Sequence, residues 1–461
     1  MVIYLRKRNK EDMIPLCILF LLCFLGFSQM QGIGILNFFI TAAIIGVCAL
    51  VHVDTLFVLM YTCLPFYNLM SYRMGTYSLH YLVVGLFCVK YLVSHPVSPK
   101  KLICFLALFL LRVFAADLVL LVSWSVLILP LILTYGEEIW TRNAKKLLCY
   151  FSLSMVLSSI IGYVMMLRGA TIYTNAYVYI NGMRMTRFAG VSGDSIIYGE
   201  STLLVIAANL VCALKRADGR RWHIACAVVL SFFCLLTFSK LAAAGLLLCY
   251  AVYFFFRLKQ GAKSRKSFLA RLLLLLLLLA LLIGGIVALL LNSGNYILLG
   301  YLERFTRDNL STGRNAVWSH YLGIMTSNLR YVLFPMTSTL YETPFFNPAT
   351  NSFIWHAHNL YLETICVFGW VGGLSALLWL ACRVLRFIRS RKPAPLLLPL
   401  LVLLLVGIGA HGNLEYQFYL QLAFALSLLH LPVHVLINGS EKNVHQTPVS
   451  SAENPADSPR F

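Results

Sequence analysis

Apolar runs of about 16–22 residues recur along the whole of this chain, each long enough to cross a bilayer core of roughly 30 Å as a helix. A membrane-spanning barrel would instead need alternating segments of about ten residues, and the sequence has none. Composition points the same way. The chain is 60% hydrophobic and 12% charged, against roughly 25% charged in an ordinary soluble domain. The expected fold class is therefore all-α, a polytopic transmembrane helical bundle of about 12–14 spans. Hydropathy places the spans from Met13–Ser28 through Leu272–Leu291 to Tyr416–Ile437, with tight turns near Ala116 and Ser239. The first run is followed by Gln29-Met-Gln31-Gly without a small-x-small cleavage site, so it reads as a span rather than a signal peptide.

The basic residues set the expected topology. With a cytoplasmic amino terminus, the inner loops hold Arg6-Lys-Arg8, Lys100-Lys101, Arg142 with Lys145-Lys146, Lys215-Arg216, Arg220-Arg221, Arg257 to Arg271 and Arg383 to Lys392. This is the pattern of the positive-inside rule. The net charge of +20 thus reports orientation. The clusters are scattered over short loops and form no single patch, so no nucleic-acid partner is expected. Both termini come out cytoplasmic, and the Ser/Pro/Asn-rich tail reads as disordered.

Two longer segments then face outward: Leu167–Asp194, and Asn292 to about Asn359. The second is the one large extracytoplasmic loop and is expected to carry short helices. These segments hold Arg168, Arg184, Arg187, Arg304, Arg307, Arg314 and Arg330, against the inside-positive bias. A bound anion would explain them. Pairing with Asp194, Glu303, Asp308 and Glu342, or with lipid phosphates, is the plainer explanation for any single one.

The densest polar constellation is His356-Ala-His358-Asn359-Leu-Tyr361-Leu-Glu363, running into an apolar stretch with Gly369 and Gly372. Titratable groups at a membrane surface are costly and usually functional. The two histidines are two residues apart, which does not place both on one helix face, and no HExxH or Cys partner accompanies them, so metal is not expected. The thirteen cysteines contain no CxxC pair and read as small hydrophobes. Other readings stand beside the functional ones. His358 could cap the helix starting near Asn359. Trp318, Trp355 and Tyr361 suit an interfacial belt, and the two glycines suit close helix packing. Arg112 and Asp117 suit a structural pair. His411-Gly-Asn-Leu-Glu415 is a further outer turn that could join the site.

Several pieces together resemble the O-antigen ligase and O-antigen polymerase superfamily of bacterial membrane proteins. They are His358-Asn359 with its trailing Gly369 and Gly372, Ser311-Thr-Gly313-Arg314 with Trp318, and Arg187-Phe-Ala-Gly190 before Gly193-Asp194-Ser195. Thr237-Phe-Ser239-Lys240 is similar to a Ser-Arg element, with lysine in the place of arginine. The resemblance covers roughly Arg187 to Glu415. It divides the chain into a cytoplasmic 1–12, an N-terminal transmembrane bundle 13–166, a ligase/polymerase-like membrane region 167–437 containing the outer loops 167–194 and 292–359, and the tail 438–461.

The resemblance implies a glycosyltransferase of the bacterial cytoplasmic membrane. Such an enzyme moves glycan from a polyprenyl pyrophosphate carrier to an acceptor sugar hydroxyl on the outer face, without metal or cofactor. The leaving pyrophosphate gains charge as its bond breaks, and arginine's planar fork suits phosphate oxygens. Arg187 and Arg314 are the expected cations, and His358 the expected acceptor-side base. His356, Asn359, Glu363, Trp318 and Lys240 are expected to bind substrate. Glu363, one turn beyond Asn359, could hold a histidine or be the base itself. Expected partners are the lipid-linked glycan, the acceptor glycan, membrane lipid and a chain-length regulator protein. A polymerase is favoured over a ligase acting on lipid A-core. A lipid-linked oligosaccharide flippase is the rival from another class, and the sequence lacks the internal repeats and paired broken helices usual in transporters.

Overall fold

The computed structural model describes residues 10–71, 78–113, 118–170, 177–180, 183–214, 219–262, 264–274, 288, 314–337, 345–347, 352–354, 357–390, 392–409 and 418–430. Over these residues the chain is a bundle of helices. The first group is α1 (Lys10–Met30), α2 (Gly34–Leu50), α3 (Val53–Cys63), α4 (His80–Ser94), α5 (Pro99–Val113), α6 (Leu118–Thr134) and α7 (Glu138–Leu167). The second is α8 (Ser195–Leu214), α9 (Arg220–Leu235), α10 (Lys240–Gly261), α11 (Arg314–Ser327), α12 (Arg330–Leu333), α13 (Leu360–Arg389), α14 (Leu398–Val406) and α15 (Phe418–His430). Among the described residues five helices, α1, α7, α8, α10 and α13, are long and apolar enough to cross a membrane. The expected spans coincide with helices, apart from Leu272–Leu291, most of which lies outside the described residues.

Helix α7 starts at Glu138 and takes in basic residues expected in an inner loop. Its first turns carry Arg142, Asn143, Lys145 and Lys146, which hydropathy cannot recognise as part of a span. They are held by α3 instead. Asn143 donates to Asp54 Oδ1 at 2.8 Å and Arg142 pairs with the same carboxylate at 3.5 Å.

Helix α8 is the axis of the second group, with 94% of its apolar window buried and α9, α10 and α14 packed around it. A helix covered on all sides must satisfy its polar side chains within the protein. Ser201 and Thr202 donate to carbonyls one turn back, Ile197 O at 2.9 Å and Tyr198 O at 2.7 Å. Asn209 donates to Ser152 Oγ at 2.7 Å, and its Oδ1 lies 2.8 Å from His223 Nδ1. Gln421 of α15 donates to Ser201 Oγ at 2.7 Å. Such satisfied polar links fix register where apolar packing alone is permissive.

The connection 292–359 carries short helices, α11 and α12, as expected, and two further features were not expected. Strand β1 (Tyr177–Ile180) pairs antiparallel with β2 (Met183–Thr186), and β3 (Phe345–Asn347) with β4 (Ser352–Ile354). The sequence between β1 and β2 is Asn-Gly, the strongest short hairpin signal. Helix α13 is also not continuous. Gly369 sits inside it at φ 73°, ψ 172°, a conformation open to glycine and strained for other residues. The carbonyl of Cys366, next to the break, accepts from Met336 N at 2.8 Å. A Cβ at Gly369 would lie 3.0 Å from Phe334 O and 3.1 Å from Leu333 O. Below the break, Trp370 donates to Met325 O at 3.1 Å. The segment 325–336 thus fills a notch in α13. Gly369 serves that notch, and Gly372 packs against Phe368 and Leu111.

Candidate functional site

The chain enters the site from β2. Arg187 Nε donates to Thr237 O at 2.8 Å, and the next residue, Phe188, donates its backbone N–H to Leu236 O at 2.9 Å. Phe188 is fully buried among Tyr198, Phe233 and Tyr163, which anchors Arg187 against the end of α9. Beyond it Asp194 Oδ1 caps α8, accepting from Ile196 N at 2.6 Å and Ile197 N at 3.1 Å. The expectation that Asp194 serves the arginines gives way, at that oxygen, to a helix cap.

Arg187 rests on the turn that leads into α10. There Phe238 has φ 51°. Ser239 then caps α10 through its hydroxyl, accepting from Ala242 N at 3.3 Å, and Lys240 is the first residue of the helix. Leu241, the next residue, meets the site's second arginine. A Cβ placed on Gly409, just past α14, would overlap both Leu241 Cδ1 and Arg314 Nη1. The guanidinium of Arg314, at the start of α11, is therefore seated over bare backbone at Gly409. The turn 237–241 brings Arg187, Lys240 and Arg314 to one end of the bundle.

His358 reaches the same end by two ties. Leu360 N donates to Gly407 O at 2.7 Å, and Tyr361 Oη donates to Leu404 O at 2.8 Å, docking the start of α13 on the end of α14 beside Gly409. Trp318, one turn after Arg314, donates its indole N–H to Ala357 O at 3.0 Å. His358 itself has φ 48°, a left-handed conformation that costs a residue with a Cβ about 1–3 kcal/mol. The helix cap is Asn359: its Oδ1 accepts from Tyr361 N at 3.0 Å and Leu362 N at 3.1 Å. His358 is thus released from the capping role that the sequence left open to it.

Glu363 lies beneath, 0% exposed. Arg112 of α5, only 3% exposed, donates to Val367 O at 3.5 Å and lies 5.9 Å over the ring of Trp124. Trp124 in turn donates to Tyr419 Oη at 2.8 Å. Arg112 and Glu363 both lie within electrostatic reach of the Tyr419 hydroxyl. Arg112 therefore serves α13, a partner that its sequence neighbourhood did not suggest. His356, Trp355, Ser311 to Gly313, Asp117 and His411 to Glu415 lie outside the described residues.

The described residues form a helical bundle with Arg187, Lys240, Arg314 and His358 on neighbouring segments. Residues 225–377 match the family model for O-antigen ligase. That segment is similar to the O-antigen ligase family, in line with the resemblance its motifs carry. It contains Lys240, Arg314, Trp318 and the stretch from His358 to Glu363; Arg187 precedes it. The family supports a ligase- or polymerase-type, glycan-processing function at a membrane, with lipid-linked glycan and membrane lipid as substrates. Neither the curated proteins nor the solved structures include a match.

Proposed function

We propose that this protein is a polysaccharide polymerase of the cytoplasmic membrane. It transfers glycan repeat units from a polyprenyl pyrophosphate carrier to an acceptor sugar hydroxyl on the outer face. The observation that carries the reading is the turn at 237–241: Arg187 bonds to Thr237, Lys240 follows as the first residue of α10, and Leu241 and Arg314 both lie against Gly409. Three cationic residues from separate segments of the chain suit a leaving group with two phosphates. Arg187 and Arg314 take the developing charge, with Lys240 as a third cation. His358 accepts the proton of the attacking hydroxyl, and His356 contacts the acceptor sugar. Asn359 shapes the site as a helix cap, and Glu363, enclosed by protein, balances charge with Arg112 from beneath. Charge compensation by side chains makes the reaction metal-independent, and a chain-length regulator is the expected protein partner.

The match to O-antigen ligase favours a second reading, a ligase that hands the same donor glycan to lipid A-core. The two differ in acceptor alone. A deletion strain of a polymerase accumulates lipid-linked single repeat units, whereas that of a ligase accumulates lipid-linked long chains.

The seat of Arg314 gives a direct test. Gly409→Ala puts a methyl group where Arg314 Nη1 and Leu241 Cδ1 now lie. The flexible guanidinium must yield, and a displacement of about 1 Å can cost about 10²-fold in rate. Transfer measured in membranes should fall by that order with protein levels near normal. An unchanged rate would remove the Arg314 seat from the account.

The side of the membrane is tested by single cysteines at Thr339 and Ser264, in a background whose native cysteines are unreactive. An impermeant thiol reagent on intact cells should label the first and spare the second, as the basic-residue asymmetry implies. The opposite pattern would overturn the outer placement.

A further inference from the structure

We infer that Trp318 is a positioning residue for His358, acting through the carbonyl of Ala357. The inference rests on the reading of His358 as the acceptor-side base. A residue with a Cβ holds a left-handed backbone only where its surroundings over-determine it. His358 at φ 48° is clamped on both sides. Ahead of it Ala357 is fully buried and its carbonyl accepts from Trp318 Nε1 at 3.0 Å. Behind it the Asn359 cap and the bond from Leu360 N to Gly407 O fix the entry to α13.

Ala357 also packs in one buried cluster with Val317, Tyr321, Met325 and Met336, so its peptide plane cannot swing without opening that cluster. Trp318 follows Arg314 by four residues, on the same face of α11. One helix therefore carries both a cation for the donor phosphates and the clamp for the base, which ties the two reacting ends together. The sequence suggested that Trp318 binds substrate; its indole N–H, the one donor it has, is committed to the backbone of Ala357 instead.

The two roles leave different kinetic signatures. Loss of a sugar platform raises KM for the acceptor. Loss of the clamp leaves binding alone and lowers turnover, because the base strays from the near-attack distance of about 3–3.5 Å. The test replaces Trp318 with 3-benzothienylalanine, which keeps the ring shape and substitutes sulfur for the N–H, and in parallel makes Trp318→Phe. Purified full-length protein is assayed in detergent with a synthetic lipid-pyrophosphate repeat unit, beside His358→Gln. Val83→Ala, in α4 and outside this cluster, serves as the packing control and should lower thermal stability without a fall in kcat.

The benzothienyl enzyme should lose about 10²-fold in kcat with KM nearly unchanged. Wild-type kcat in that enzyme, or a loss that resides in KM, would overturn the positioning role. His358→Gln separates the two layers. If it is fully active, the reading of His358 itself has failed. If it is inactive while the benzothienyl enzyme is fully active, only the Trp318 inference falls.

Discussion

Arg314→Ala is expected to abolish glycan transfer while leaving the protein in the membrane at near-normal levels. The side chain stands at the first residue of α11, over Gly409 and against Leu241, so its removal does not break a helix. What it removes is a preorganised cation where charge develops on the leaving pyrophosphate. Loss of one such donor costs about 10²–10³-fold in kcat, or ~2.7–4 kcal/mol of barrier. Arg314→Lys should recover part of the activity, because lysine restores charge without the planar fork that fits two phosphate oxygens. Arg187→Ala should behave similarly, with some loss of stability from the bond to Thr237 O. Transfer rates in purified membranes, normalised to protein by immunoblot, decide the matter. Full activity in Arg314→Ala would exclude the residue from the mechanism.

His358→Ala should be as damaging. General base catalysis contributes about 10²–10⁴-fold, so the expected defect is large. Lipid-linked single repeat units should accumulate on the outer face, because export to that face proceeds and transfer does not. Alanine also removes the imidazole while retaining the backbone strain of φ 48°, so His358→Gly, which relieves that strain, makes a useful companion. Both should be inactive, and the glycine variant should be the more stable. His356→Ala should be milder, since only His358 directly precedes Asn359 in the motif. An active His358→Ala enzyme would transfer the base role elsewhere, with Glu363 the nearest carboxylate in sequence.

Hydropathy made most of the helices legible, because a span announces itself by length and apolar content alone. It was blind where polar residues join a helix through tertiary partners, as in the first turns of α7, held by Asp54. It was equally blind to a break inside an apolar run. Gly369 reads as a packing glycine until Met336 and the carbonyls of Leu333 and Phe334 are seen to fill the notch. The hairpin of β1 and β2 was readable from Asn-Gly flanked by β-formers and was overlooked beside the stronger membrane signal.

For the site, residue types and order pointed to Arg187, Lys240, Arg314 and His358, and the structure brings their segments to one end of the bundle. The mode of assembly was hidden. The turn at 237–241 holds Arg187 and meets Arg314 through main-chain and van der Waals contacts, and these leave no mark on a motif. The clamp from Trp318 to Ala357 is likewise a side chain to backbone bond, which depends on where α11 lies and not on spacing. Arg112 also reaches a carbonyl of α13, 255 residues away, a contact that spacing cannot suggest; Asp117, its expected partner, lies outside the described residues.

Whether the protein makes and breaks glycosidic bonds can be read in detergent solution, where no membrane sides exist. Purified protein would be given a synthetic polyprenyl-pyrophosphate repeat unit, alone and with a lipid A-core acceptor, in the presence of a chelator. The account predicts longer glycan from the repeat unit alone, with activity undiminished by chelation; product only with the core acceptor would assign the ligase reading. No transfer to either acceptor under conditions that preserve the fold, together with lipid-linked units stranded on the inner face of a deletion strain, would contradict the account and establish a transporter.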